Sequence, residues 1–134
     1  MEKVLLLAPE GSFGNMLSEN LRRFGIDHVE RSRSPLNLRW RWTEMLDTDI
    51  IVVDANFCGN GRETARLVRK IRREFGNPMI VFEAYATNEG AFACQVAGCN
   101  FFASGDTEQE LRLNICQQAG LIFQELSRDH QKAA

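Results

Sequence analysis

Hydrophobic and polar positions along this chain change period in blocks. Asp49-Ile50-Ile51-Val52-Val53-Asp54 is apolar throughout its interior, which fits a parallel strand buried on both faces and closed by a carboxylate. Upstream, Phe13, Met16, Leu17, Asn20, Leu21 and Phe24 recur at helical spacing, with Ser12 as the N-cap and Gly25 as the stop. His28 to Ser32 reads as a short second strand, marked by Val29 but otherwise polar and therefore near a sheet edge. Leu36, Leu38, Trp40 and Trp42 then alternate with Asn37, Arg39 and Arg41, a period of two that suits a strand or extended loop. After Gly61, Leu67, Val68, Ile71 and Phe75 line one side of a helix, and Arg62, Arg66, Arg69 and Arg73 form a stripe on the other. Thr107 to about Gln131 reads as one long helix, capped by Asp106 or Thr107 with Glu110 placed for a capping box. Leu111, Ile115, Ala119, Ile122 and Leu126 make one apolar face of it, and Leu113, Cys116, Gly120 and Phe123 add a second. Strand and helix thus alternate about five times, the pattern of an α/β fold whose parallel sheet is covered on both faces.

Composition narrows the classes. With 134 residues and 44% hydrophobic content, the chain suits one globular domain with a real core. No apolar run approaches the ~20 residues of a membrane span, and the N-terminus lacks the features of a signal peptide, so a cytoplasmic protein with no membrane partner is expected. Cys58, Cys94, Cys99 and Cys116 lack the paired short spacings of zinc or redox motifs and read as structural thiols. His28 and His130 have no second ligand at helical spacing, and no nucleophile, histidine and acid set suggests an enzyme. Interleaved Arg39, Trp40, Arg41 and Trp42 raise single-stranded nucleic acid as a partner. A net charge of −2 argues against it, so the rings are expected in the core with the arginines facing water. The Arg62–Arg73 stripe reads as the solvated side of an amphipathic helix, with an acidic protein partner as the alternative.

Asp54 stands at the carboxyl end of its strand, where ligands of open α/β sheets bind. With Lys3-Val4-Leu5-Leu6-Leu7 as a first strand, Asn77-Pro78-Met79-Ile80-Val81-Phe82 as a fourth and the Ala97-Gly98 turn leading into a fifth, the chain resembles the receiver domains of bacterial response regulators. Gly61-Arg62-Glu63 before Leu67 and Ile71 resembles that family's third helix. The resemblance covers nearly the whole chain. It implies a flavodoxin-like, five-stranded parallel sheet, with Asp54 in the position of the phosphoacceptor. It also implies a second helix where the residues from 36 to 42 show a period of two.

The departures bear on function. Active receivers follow the first strand with a pair of acids that bind magnesium; here Ala8-Pro9 stands there, with only Glu10 beyond. The family's fourth strand ends in Thr or Ser, matched here by Glu83, and its fifth-strand Lys-Pro is replaced at Ser104-Gly105-Asp106. Phosphoryl transfer depends on cations that neutralise the charge on the equatorial oxygens, so these losses together remove the catalytic charge.

The sequence is therefore read as a degenerate receiver that acts through protein interaction or dimerisation, with no cofactor. A working phosphoacceptor, served by a histidine kinase and by magnesium on Asp54, Glu10 and Glu83, is the alternative. A third reading is a small-ligand protein using the glycine-containing loop from Glu10 to Asn15. By the resemblance, the interaction surface falls to Phe102, Leu113, Cys116 and Phe123, with Phe102 at the family's aromatic switch position. The partner is then another protein, an output domain or a second copy. A helix running past the domain suggests a linker, and the sequence leaves open whether the chain is a fragment of a longer regulator.

Overall fold

The computed structural model describes residues 2–83 and 97–133. Its strands are β1 (Lys3–Leu7), β2 (His28–Ser32), β3 (Ile50–Asp54), β4 (Met79–Phe82) and β5 (Phe101–Ala103). They pair in parallel in the order β2-β1-β3-β4-β5, so the expected α/β fold with a five-stranded parallel sheet is present and β2 lies at an edge. Between them lie helices α1 (Ser12–Arg23), α2 (Pro35–Trp40) and α3 (Gly61–Glu74), a 3-10 turn at Trp42–Asp47, and finally α4 (Glu108–Ala133).

Successive strand residues face opposite sides of the sheet, and the core divides accordingly. Val4, Leu6, Ile50, Val52, Ile80 and Phe82 pack with Leu17 and Leu21 of α1 and with Leu111, Ile115 and Ala119 of α4. Leu5, Leu7, Ile51, Val53, Met79 and Val81 pack with Leu38 of α2, Met45 of the 3-10 turn, and Val68 and Ile71 of α3. A strand buried on both sides must be apolar at every position. That requirement explains the unbroken run from Ile50 to Val53.

Local chemistry sets the ends of the helices. Gly11, not Ser12, is the N-cap of α1; Ser12 is already helical. At the other end Gly25 N–H donates to the Arg22 carbonyl and Ile26 N–H to that of Leu21, the paired closure that turns the chain toward β2. Thr107 caps α4 by accepting the Glu110 N–H at 3.1 Å, while the Glu110 carboxylate reaches back to the Asp106 N–H at 3.0 Å.

The residues from 36 to 42 are helical, against their period of two. Ser34 accepts the Asn37 N–H at 3.1 Å, and Pro35 occupies the first turn, where its missing N–H costs nothing. In a helix of six residues only Leu38 reaches the core, so alternation carried no strand information. The expected placement of rings and arginines is also corrected. Trp40 is 85% exposed, whereas Arg41 is largely sheltered and paired to Glu30 and Glu44 at 3.0 and 2.9 Å. Trp42 alone packs inward, edge-on to Phe75, with its indole N–H donated to Glu74 at 2.8 Å.

Buried Asn77 joins the start of β4 to the loop before β3, its amide donating to the carbonyls of Met45 at 3.2 Å and Thr48 at 2.7 Å. Asn77→Ala leaves both carbonyls short of a donor. The expected cost is about 1–3 kcal/mol, read as a lower urea midpoint at unchanged slope.

Candidate functional site

The sheet register brings the candidate residues to one end. Leu7, the last residue of β1, pairs with Val53, so Ala8 and Pro9 leave the sheet beside Asp54. Asp54 pairs with Phe82, so Glu83 leaves β4 on the other side. Asp54 is half-buried and its Oδ1 accepts the Asn56 N–H at 2.8 Å. Burial pushes its pKa up, the Asn56 hydrogen bond opposes that, and the nearby Glu83 carboxylate raises it further. Glu83 is only 7% exposed, so two carboxyl groups share a poorly hydrated end of the sheet.

Glu10 is not part of this arrangement. It is exposed and forms an ion pair with Arg33 at 2.5 Å, which corrects the expected acidic pocket of Glu10 and Glu83. Among the described residues no group of three His, Cys, Asp or Glu side chains could hold a metal ion. Ala8 offers a buried methyl group and Pro9 no side-chain oxygen. The described residues therefore do not fit the magnesium that the receiver resemblance implies.

Two features went unrecognised in the sequence. Arg31, at the end of β2, lays its guanidinium across the β1–α1 loop. It donates to the carbonyls of Ala8, at 3.3 Å, and Pro9, and to the side chain of Asn15. The guanidinium fills the space a side chain at Gly14 would need, since a Cβ there would lie 2.4 Å from Arg31 Nη2. Gly105, in the family's lysine region, is similarly constrained: a Cβ would lie 2.6 Å from the Leu111 backbone nitrogen at the start of α4. The helix backbone cannot yield as a flexible side chain would, so this position excludes a lysine as well as lacking one. Neither feature has a spacing signature, because each depends on a contact between distant segments.

Cys116 and Phe123, assigned to an interaction surface, are buried between α4 and the sheet, so that assignment is corrected for both. Burial pushes the Cys116 thiol up to about 11, an unreactive state. Phe102 is half-buried and packs with the cluster on the opposite sheet face. Leu113 is exposed on α4. The four candidates therefore do not form one surface. Cys58 and Cys99 are free thiols whose pKa values burial raises, and Cys94 lies outside the described residues. The Glu10–Asn15 loop gives way to α1 at Ser12, and its side chains Glu10 and Asn15 are engaged by Arg33 and Arg31.

No protein-family model and no curated protein sequence matches the chain. Solved structures do. A two-component response regulator from Clostridium difficile superposes with a TM-score of 0.76 at 14% identity, covering 94% of this chain and 98% of that one. A response regulator from Thermotoga maritima gives 0.71 at 18% identity over 91% of this chain and 97% of its own. The beryllofluoride-activated NtrC4 receiver domain, solved as a dimer, gives 0.67 at 19% identity over 89% and 96%. With its strand order, its Asp54 at the end of β3 and its likeness to these structures over most of its length, the chain has the receiver-domain fold.

Proposed function

We propose that this protein is a receiver-like signalling module that works through protein contacts without magnesium-dependent phosphorylation of Asp54. The observation that carries this reading is the electrostatic setting of Asp54. Burial and the Glu83 carboxylate both favour its neutral form, whereas a phosphoacceptor requires an ionised nucleophile and cations that draw in the phosphoryl oxygens. Ala8 and Pro9 supply no metal ligands, and Arg31 already engages the backbone carbonyls of that loop. Gly105 fits tightly against α4 and leaves no room for the family's lysine. In this reading the sheet end is a fixed structural element, and signalling depends on what binds the surface.

Two measurements test this. Incubation with a small phosphodonor and magnesium, followed by intact-mass analysis, is expected to leave the protein unmodified; rapid, magnesium-dependent phosphorylation at Asp54 would overturn the proposal. The second uses pH. Because the folded state raises the Asp54 pKa above its ordinary 3.8, the native protein binds that proton more tightly than the unfolded chain. This site's contribution to stability therefore falls as pH rises from the ordinary aspartate range through the raised value. Asp54→Asn keeps an acceptor for the Asn56 N–H and removes the charge. It should raise the melting temperature at neutral pH, with the gain shrinking toward pH values below 3.8. A lower melting temperature for Asp54→Asn at neutral pH would mean that the ionised carboxylate is stabilised in the fold.

A further inference from the structure

The α2–α3 side of the molecule carries an unusual combination of exposed apolar groups and positive charge. Trp40 is 85% exposed and Leu36 65%, and their spacing of four sets them side by side on α2. Leu46, on the following 3-10 turn, is 74% exposed. Among the described residues the Trp40 side chain makes no hydrogen bond or ring contact, although Trp42, two positions on, is held by Phe75, Glu74 and Lys70. The Lys70 ammonium lies 4.9 Å from the Trp42 ring centroid, which fixes the side of α3 that adjoins this segment. Arg66 and Arg73, four residues before Lys70 and three after, continue that row and are exposed, with Arg66 in a surface ion pair with Glu63 at 3.2 Å. α3 carries six Arg and Lys side chains against Glu63 and Glu74, and Arg39 adds an exposed cation beside Trp40.

We infer that the surface formed by Leu36, Trp40 and Leu46 with the Arg66–Lys70–Arg73 row docks an acidic amphipathic segment of a partner protein. Such a segment places aliphatic or aromatic side chains against Leu36 and Trp40 and its carboxylates along the α3 row. Each part has a physical reason. Exposed Trp is the residue type most enriched where binding energy concentrates, and the net positive charge of α3, six cations against Glu63 and Glu74, steers and orients an oppositely charged partner. Single-stranded nucleic acid fits less well: Leu36 and Leu46 offer aliphatic surface where stacking needs flat rings, and the chain as a whole carries a charge of −2. The surface names a kind of partner for the interaction module proposed above. It does not depend on the state of Asp54, so phosphorylation of Asp54 would overturn that reading and leave this one standing.

The probe is a synthetic acidic helical peptide with Leu or Phe at every third and fourth position and Asp and Glu on the flanks. It is titrated into isotope-labelled full chain while the two Trp indole N–H signals are followed. The Trp40 signal is expected to shift saturably, with affinity falling as salt rises. Trp40→Ala and the double variant Arg66→Glu/Arg73→Glu should each weaken binding by about tenfold or more, with unchanged melting temperatures since all three side chains are exposed. No Trp40 shift at about millimolar peptide, or equal binding by Trp40→Ala, would overturn the inference. So would tighter, Trp40-dependent binding of an oligothymidylate, or a Trp40 shift that follows protein concentration alone and so marks self-association.

Discussion

A carboxylate at the end of a buried strand must be stabilised in its charged form or remain neutral, and that constraint governs the sheet end of this protein. Asp54 sits half-buried beside Glu83, so desolvation and like charge act in the same direction. The Asn56 N–H opposes them with a single hydrogen bond. The places of the family's metal-binding acids and lysine are held here by Ala8, Pro9 and Gly105. The nearest segments are organised by other means: Arg31 ties down the β1–α1 loop, and Gly105 lets the β5–α4 loop press against the start of α4.

These substitutions are mutually consistent. Without side-chain oxygens at Ala8 and Pro9, a metal has little to hold, and a guanidinium donating to backbone carbonyls gives that loop its order directly. The close approach at Gly105 is incompatible with a long side chain at that position. The fold is retained because its stability comes from elsewhere, the two apolar layers on either side of β1, β3 and β4.

Much of that architecture was legible in the sequence. The β3 run, the helical spacing of α1 with its stop at Gly25, the polar edge strand β2 and the Thr107–Glu110 cap all act through neighbouring residues, and all are present. The site was legible in part. Asp54 and Glu83 follow from strand ends, but the direction of Glu10 is set by Arg33, far along the chain, which no local pattern encodes. Cys116 and Phe123 were misplaced because α4 buries a wider arc than one apolar stripe, so these two residues of the second stripe face the core with the first, while Leu113 does not. At residues 36 to 42 the true signals were Ser34 and Pro35, an N-cap and a first-turn proline, outweighed by an alternation that six helical residues are too few to contradict.

The most direct test of the central claim is the response of the Asp54 environment to a phosphoryl mimic. Beryllofluoride with magnesium would be titrated into isotope-labelled protein while the amides of Ala8, Asn56 and Glu83 are followed. No saturable shift is expected at these positions, because Ala8, Pro9 and Gly105 supply neither the metal ligands nor the lysine that would hold the mimic. Saturable, magnesium-dependent shifts centred on Asn56 and Glu83 would show that the sheet end still binds a phosphoryl group and would contradict it.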